Sequence, residues 1–298
     1  MSKLFLGSRG SPLALAQSRL VIEHLQSVSP ETEFEVKIIR TEGDQLQSRD
    51  DTVLPPGKGI FTTEIEDALL RGEVDLAVHS LKDLPTEMRP ELLLAAITER
   101  ADARDTLVSK KAQSIDALPE GAIIATGSPR RSAQLSWLRP DLRIVEIRGN
   151  IDTRLRKLRE NRDLDGIILA AAGLQRLQPA LFELIATPLS FDEMLPAPGQ
   201  GALAIQVRAD DQSTRQIASL AHHPATCAQV IAERAFLTGL GGGCFMPIAA
   251  YATMSGENLK LDTFCWMSET PFPKKMSLEG HWESAEQLGY DLAAQIES

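Results

Sequence analysis

The sequence predicts an α/β protein built from two similar halves and completed by a small α+β domain. A predicted strand, a glycine, a serine, a helix-initial proline and a nearby arginine occur together twice, in residues 7–13 and again in residues 127–131. From about Leu220 the pattern changes to one helix, three strands and a last helix. The 298 residues suffice for two or three domains of ordinary size, which agrees with this division.

The composition narrows the class of protein. Hydrophobic residues make up 43% of the chain and charged residues 24%, as in ordinary globular proteins. The net charge of -10 argues against non-specific binding to nucleic acid or to anionic membranes. The first residues contain too short an apolar run for a signal peptide, and we expect no membrane span.

The cysteines and histidines suggest no metal site. The three cysteines, Cys227, Cys244 and Cys265, are well separated and form no C-x-x-C pair, so neither a zinc site nor a disulfide framework is expected. The adjacent His222 and His223 have no third ligand at a useful spacing. Unpaired cysteines are typical of a reducing cytoplasm, which is the expected location.

The first half is predicted to alternate strands and helices. Ser11 is placed to cap a helix whose first residue is Pro12, and Thr63 with Glu66 forms a capping-box pattern for a second helix. Between these helices lies a long polar loop, residues 41–59, of a kind that is often functional. Strands are predicted at residues 3–7, 34–40, 74–79 and 92–97.

The second half is predicted to repeat this organisation. Residues 98–104 are charged and lack apolar periodicity, which indicates a crossover between domains. A serine cap recurs at Ser128, and further helices are expected from Ile151 and after Ala170. Strands are predicted at residues 122–126, 143–147 and 165–169, and a strand at 202–207 is expected to return to the first half after a second crossover at 195–201.

The C-terminal part is predicted to hold a helix at 225–240, three strands at 248–252, 259–266 and 276–282, and a helix from Glu283. Three consecutive glycines followed by Cys244 join its first helix to its first strand, and such a run favours a loop. The expected domains are residues 1–98 with 200–219, residues 104–195, and residues 221–298.

Basic residues gather where the predicted strands end and the helices begin. In a two-lobed α/β architecture, the ends of strands from both lobes are expected to face a shared cleft. Most of these residues are arginines, which grip carboxylates and phosphates in a bidentate fork, so we expect a polyanionic ligand such as a polycarboxylate. No P-loop or dinucleotide fingerprint is present. The set is Arg9, Lys58, Lys82, Arg130, Arg131, Arg148, Arg154 and Arg176.

Two further residues are candidates for chemistry. A thiol on a glycine loop near many cations has a lowered pKa, which favours Cys244 as a nucleophile, although a lone cysteine is more often a small buried apolar side chain. Asp83 is a carboxylate that could stabilise developing positive charge or act as an acid or base. A two-lobed anion-binding protein without chemistry, and a thiol enzyme acting on phosphorylated small molecules, are the alternatives.

At these residues the chain resembles the porphobilinogen deaminase (hydroxymethylbilane synthase) family over essentially its whole length. Many ordered motifs together carry the resemblance, although any one alone would be weak. They are Ser8-Arg9-Gly10-Ser11-Pro12-Leu13-Ala14, Gly57-Lys58-Gly59-Ile60-Phe61, His79-Ser80-Leu81-Lys82-Asp83-Leu84-Pro85, Ser128-Pro129-Arg130-Arg131, Arg148-Gly149-Asn150, Ala172-Gly173-Leu174, Pro198-Gly199-Gln200-Gly201 and Gly242-Gly243-Cys244.

The resemblance implies two α/β domains like those of periplasmic binding proteins and a small C-terminal α+β domain. It implies a dipyrromethane cofactor, bound to Cys244 by a thioether, to which four porphobilinogen molecules are added in turn before hydrolysis releases 1-hydroxymethylbilane. Asp83 is implied to stabilise charged pyrrole nitrogens and azafulvene intermediates. The implied partners are porphobilinogen and, for hand-over of the product, uroporphyrinogen III synthase, with the protein acting as a monomer.

The resemblance also implies which residues bind the cofactor and the substrate. Besides Cys244 and Asp83, the implied cofactor-binding residues are Lys82, Thr126, Ser128, Arg130, Arg131, Arg148 and Gly149. The implied substrate-binding residues are Arg9, Ser11, Gln17, Lys58, Phe61, Arg148, Arg154, Arg176 and Gln200. One departure from the family pattern is Gly127, which stands where a hydroxyl residue is common.

Overall fold

A computed structural model describes residues 2–41, 43, 62–242, 246–266 and 271–297 of the chain. The chain forms two compact units, residues 1–101 with 202–227 and residues 102–201 with 228–298. Elements are labelled below in chain order. Within the described ranges, none of the helices has the length and apolar character needed to cross a membrane.

The first unit contains a five-stranded sheet in the order β2-β1-β3-β10-β4. Its strands are β1 (Ser2–Ser8), β2 (Thr32–Ile38), β3 (Leu76–Ser80), β4 (Leu92–Ile97) and β10 (Leu203–Arg208). Strand β10 runs antiparallel to both of its neighbours, β3 and β4. The helices are α1 (Pro12–Val28), α2 (Thr63–Leu70) and α6 (Gln212–Ser219). The predicted return of residues 202–207 to the first half is therefore confirmed.

The second unit contains a sheet with the same plan, in the order β7-β6-β8-β5-β9. Its strands are β5 (Asp105–Ser109), β6 (Ile123–Ala125), β7 (Arg143–Val145), β8 (Gly166–Ala170) and β9 (Ile185–Pro188). Strand β5 is antiparallel to β8 and β9, as β10 is to β3 and β4. The helices are α3 (Pro129–Leu138), α4 (Ile151–Glu160) and α5 (Ala171–Leu177). The prediction of two similarly built halves is confirmed.

The same unit also contains a three-stranded antiparallel sheet in the order β11-β12-β13. Its elements are α7 (Pro224–Gly239), β11 (Ile248–Ser255), β12 (Asn258–Cys265), β13 (Lys274–His281) and α8 (Ala285–Glu297). Phe236, Leu261 and Leu292 pack in the core between helices and sheet. The predicted fold class is confirmed, whereas the division into three domains at the stated boundaries stays a prediction.

The predicted side-chain capping is found at one helix start and is absent at two. Ser11 caps α1, with its hydroxyl accepting from the Ala14 N–H at 3.3 Å. The capping box at Thr63 and Glu66 was wrong, because Thr62 is the N-cap residue and makes no side-chain cap bond. Glu66 is buried and bonds elsewhere in the unit. Ser128 occupies the N-cap position of α3, but its side chain makes no cap bond.

Two strands were not predicted. Strand β5 begins with a charged residue, Asp105, and lies between the predicted crossover at residues 98–104 and the predicted strand at 122–126. Strand β9 has only four residues and includes Pro188. Strand β5 is defined by its pairing with β8, and β9 by its pairing with β5, which local periodicity does not report.

Candidate active site

Predicted site residues of the first unit meet in one cavity at the end of β3. The cavity lies where β1 leads into α1 and where β3 ends, a place where α/β sheets bind ligands, and the start of α1 contributes to its lining. Of the predicted residues, Arg9, Ser11, Gln17 and Asp83 line it. They are joined there by residues that had not been assigned a role, namely Leu13, Ala14, Thr62, Val78, His79 and Ser80.

Asp83 is presented by a short 3-10 turn, Leu81–Asp83, directly after β3. The Leu81 N–H donates to the Ala202 carbonyl at 3.1 Å, and the Leu84 N–H donates back to the Leu81 carbonyl at 3.2 Å. The first bond fixes the turn to the residues entering β10, and the second closes the turn itself. Asp83 is exposed, and Lys82 beside it is half-buried. The turn therefore holds a solvent-accessible carboxylate at the mouth of the cavity.

Gln17 is buried and makes its side-chain hydrogen bond within the first unit. Its Nε2 donates to the Ser80 hydroxyl at 2.9 Å, which joins α1 to the last residue of β3. This contact gives Gln17 a structural part in shaping the cavity, and direct contact of Gln17 with a substrate stays a prediction.

His79 is a buried histidine at the same cavity. Burial lowers its pKa to about 4, a hydrogen bond with Gln206 opposes this shift, and the positive charge of Arg9 adds to it. The bond joins His79 Nε2 and the Gln206 side-chain oxygen at 3.1 Å. His79 is therefore neutral at physiological pH.

In the second unit, Arg130 and Arg131 converge on one fully buried carboxylate, Asp105. Arg130 donates from Nη1 to Asp105 Oδ2 at 2.7 Å, and Arg131 donates from Nη2 and Nε to Oδ1 at 2.7 and 3.1 Å. Burial raises the pKa of Asp105, but the two guanidiniums outweigh it and hold that pKa well below its usual range. Two cations share one anion, so the cluster keeps a net positive charge.

Backbone carbonyls complete the surroundings of this cluster. Arg130 also donates to the Leu195 carbonyl at 2.6 Å, and Arg131 to the Ile168 carbonyl at 3.0 Å. Gln200 is buried and donates from Nε2 to Asp105 Oδ1 at 3.0 Å, so it supports the carboxylate. Binding of a cofactor or substrate by these three predicted residues stays a prediction.

Arg154 and Arg176 differ from that pair, because neither has a carboxylate partner among the residues that the structure describes. Arg154 donates from Nε to the Gly149 carbonyl at 2.7 Å, and Arg176 donates from Nη2 to the Gly201 carbonyl at 2.6 Å. Burial lowers the pKa of each to about 10, and the charge of Arg131 contributes at Arg154. Half-buried cations without a counter-charge attract anions.

At the start of α4, before Arg154, the backbone of Gly149 lies close to the side chain of Thr153. Gly149 has φ +110°, and a Cβ there would lie 2.7 Å from the Thr153 side chain. Arg148 is paired with the exposed Glu146, with Arg148 Nη2 and Glu146 Oε1 2.6 Å apart. Asn150 caps α4 through the Thr153 N–H. The Gly149 carbonyl accepts from Arg154 and so orients the guanidinium.

Thr126 and Ser128 lie at the start of α3. The Thr126 hydroxyl accepts from the Ser128 N–H at 3.2 Å, and Thr126 is buried. Gly127 between them lies against the Ile147 carbonyl, since a Cβ at that position would approach it to 3.0 Å. A side chain at this position would therefore require the Ile147 carbonyl to move slightly.

Three predicted site residues, Lys58, Phe61 and Cys244, lie outside the described residues. Three residues that shape the sites were missed, namely His79, Ser80 and Asp105. A signal existed for Asp105, because two adjacent arginines at a helix start require an acidic partner if they are buried. His79 and Ser80 begin the sequence motif that ends at Pro85, but no local pattern indicates their hydrogen bonds to Gln206 and Gln17.

Comparison with known proteins identifies the family. The family model described as "Porphobilinogen deaminase, dipyromethane cofactor binding domain" matches residues 4–216, and "Porphobilinogen deaminase, C-terminal domain" matches residues 227–298. The porphobilinogen deaminase of Thermus thermophilus is 46% identical over 99% of this chain and 96% of that protein. That of Shouchella clausii is 50% identical over 85% of this chain and 81% of that protein.

Among solved structures, the effector-binding domain of a BenM variant aligns with 78% of this chain and 95% of its own, at 17% identity and a TM-score of 0.42. Membership of the family rests on the matching models and on the sequence relatives, which cover nearly the full length. The chain belongs to the porphobilinogen deaminase family.

Proposed function

We propose that this chain is a hydroxymethylbilane synthase, a transferase that condenses four porphobilinogen molecules head to tail and releases 1-hydroxymethylbilane by hydrolysis for tetrapyrrole synthesis. Its family supports the proposal. The structural observation that carries it is the pair Arg154 and Arg176, whose half-buried charges have no carboxylate partner among the described residues. Porphobilinogen brings two carboxylates per molecule, so a growing chain of such units needs fixed cations.

The residues present fit a dipyrromethane cofactor, whose pyrrole rings carry acetate and propionate groups. Arg154 and Arg176 are assigned to the carboxylates of the incoming porphobilinogen, with which each can form the bidentate pair of arginine and carboxylate. The Asp105 cluster adds a net positive charge. When bound, the dipyrromethane supplies the free pyrrole position at which chain growth begins, and we assign its covalent attachment to the Cys244 thiol.

Asp83 is the proposed catalytic residue. When the carbon–nitrogen bond of the porphobilinogen aminomethyl group breaks, ammonia leaves and positive charge develops on the substrate's pyrrole nitrogen. A carboxylate near that nitrogen stabilises the charge. The Leu81–Asp83 turn holds Asp83 exposed at the cavity, where a substrate can reach it. Arg9 and Lys82 supply positive charge for the substrate's carboxylates on the same side of the first unit.

The cellular setting follows from the same chemistry. A thioether forms from a free thiol, which the reducing cytoplasm maintains. We therefore place the enzyme in the cytoplasm, acting as a monomer that passes its unstable linear product to uroporphyrinogen III synthase. Light scattering of the purified protein checks the monomer, and a dimer at micromolar concentration would contradict it.

The direct test is turnover of porphobilinogen by the purified protein. We expect four molecules of ammonia for each molecule of 1-hydroxymethylbilane, with the product trapped by its cyclisation to uroporphyrinogen I. Asp83→Asn should lose most of this activity, whereas Asp163→Asn, at an exposed position after α4, should keep it. Absence of turnover in wild-type protein that carries a bound dipyrromethane would refute the proposal.

A further inference from the structure

A chain of buried polar side chains crosses the core of the first unit. His79 Nε2 bonds to the Gln206 oxygen at 3.1 Å, and Gln206 Nε2 donates to Glu66 Oε1 at 3.1 Å. Glu66 Oε2 lies 3.3 Å from Arg89 Nε. His79 and Glu66 are each 6% exposed and Gln206 is fully buried. The chain therefore links β3, β10 and α2 through polar groups in the interior.

The carboxylate of Glu66 sets the direction of these bonds. A carboxylate can only accept, so the Gln206 amide group must face Glu66 with its NH2. The Gln206 oxygen then faces His79, and His79 donates from Nε2. The Gln206 side chain thus donates to Glu66 and accepts from His79. Rotation of the amide group by 180° would break both bonds.

These buried polar side chains hold β3 in place immediately before the turn that carries Asp83. Successive residues of a strand point to opposite faces of the sheet. On one face, Ser80 accepts from Gln17 of α1, and on the other, His79 donates to Gln206. Residues 79 and 80 are thus held from both faces, and Leu81–Asp83 follows without an intervening residue.

The sister sheet of the second unit serves as an internal comparison. Strand β8 ends at Ala170, which pairs with Asp105 of β5. In the same way, β3 ends at Ser80, which pairs with Leu203 of β10. In both sheets the residue after this strand end donates its N–H to the neighbouring segment. Ala171 donates to the Arg104 carbonyl at 3.0 Å, and Leu81 donates to the Ala202 carbonyl. Counting from these matched pairs, the equivalents of His79 and Gln206 are Leu169 and Val108.

Leu169 and Val108 are buried at 2% and 0% exposure in one apolar cluster. The strand arrangement is therefore compatible with apolar residues at both positions. Buried polar groups cost free energy that well-packed apolar groups avoid, and replacing a complete polar set by apolar residues is often neutral or stabilising. The polar pair occurs in the unit that carries Asp83, which indicates a role beyond folding.

We propose that His79 and Gln206 are positioning residues that fix the end of β3, and thereby the carboxylate of Asp83, against α2 through Glu66. This inference rests on the proposed catalytic role of Asp83. His79 acts as a neutral donor within this chain, and neither residue needs to touch the substrate.

The test transfers the sister residues into the first unit as His79→Leu/Gln206→Val. Glu66 keeps its partner Arg89 in this variant. Because Glu66 loses the Gln206 donor, we expect a melting temperature lowered by no more than about 10 °C, with full cofactor loading by intact mass and KM within about threefold, but a kcat lowered about tenfold or more. The control His24→Leu/Gln26→Val makes the same exchanges on the exposed face of α1 and should change nothing.

A double-mutant cycle with Asp83→Asn separates positioning from a general loss of structure. If the pair acts through Asp83, adding it to Asp83→Asn should lower kcat by less than about twofold further. An unchanged kcat in a folded variant that carries the cofactor would overturn the inference. So would a triple variant whose loss of kcat equals the product of the losses of His79→Leu/Gln206→Val and of Asp83→Asn. If the variant does not fold, Gln206→Met, which removes both bonds of Gln206, enters the same cycle.

Failure of the proposed function has a different signature, because wild-type protein would then show no turnover of porphobilinogen at all.

Discussion

Replacing Asp105 by asparagine tests the buried arginine cluster of the second unit most sharply. Asp105 is fully buried and accepts from Arg130, Arg131 and Gln200 at distances of 2.7 to 3.1 Å. Asparagine has nearly the same shape but lacks the charge, and its NH2 cannot accept a hydrogen bond. The substitution therefore leaves two buried guanidiniums without an anion.

The expected loss is large. Removing one partner of a buried ion pair costs about 3–5 kcal/mol, because the remaining charge stays desolvated. For a domain of about 150–250 residues, each kcal/mol lowers the melting temperature by about 2–4 °C. We therefore expect Asp105→Asn to melt at least about 6 °C below wild type, with the matched exposed variant Asp163→Asn unchanged.

The pH dependence has a definite sign. The pKa of Asp105 is lowered in the folded protein, so its carboxylate stabilises the fold fully above the ordinary aspartate pKa of about 3.9. That contribution is lost as the pH falls through the lower folded value. The difference in melting temperature between wild type and Asp105→Asn, followed by circular dichroism, should be constant from about pH 5 to 8 and shrink in more acidic solution. A difference below about 2 °C at pH 7 would refute the assigned ion cluster.

Two further predictions concern the site. Asp83→Asn should lower turnover about 10²–10⁴-fold with full cofactor loading by intact mass, as expected for removal of an acid–base or charge-stabilising group, and near-normal turnover would exclude Asp83 from catalysis. Arg154→Gln removes a half-buried cation without a described carboxylate partner, so the melting temperature of cofactor-free protein should hold or rise while the KM for porphobilinogen increases about tenfold or more. An unchanged KM, or the same rise for the exposed neighbour Arg156→Gln on α4, would contradict the assigned anion site.

Much of the fold could be predicted because its signals are local. The helix start at Ser11 and Pro12, the strand β4 and the repeat of the first half in the second all follow from side-chain type and spacing. Strands β5 and β9 were not predicted, because they are defined by pairing with partners distant in sequence. The capping box failed because Glu66 bonds to Gln206, 140 residues away in sequence, in place of the helix start.

The site was predictable by residue type but not by environment. The pattern of residues alone places Arg130, Arg131, Arg154 and Arg176 alike, as basic residues near strand ends and helix starts, and only the family resemblance assigns the first two to the cofactor and the last two to the substrate. The structure divides them, because β5 pairs with β8 and brings Asp105 to the first two. That division depends on strand pairing, a non-local property that no motif encodes. The His79–Gln206 bond joins residues 127 positions apart for the same reason.

The covalent state of Cys244 is the central claim and can be measured directly. Intact-mass spectrometry of protein purified from cells should show an excess equal to two porphobilinogen molecules less two ammonia, and an Ehrlich colour reaction should follow the protein. Cys244→Ser should show the unmodified mass and no colour. Cys227→Ser should show the added mass and the colour reaction, as wild type does. Wild-type protein that turns over porphobilinogen while its mass is unmodified would contradict the account.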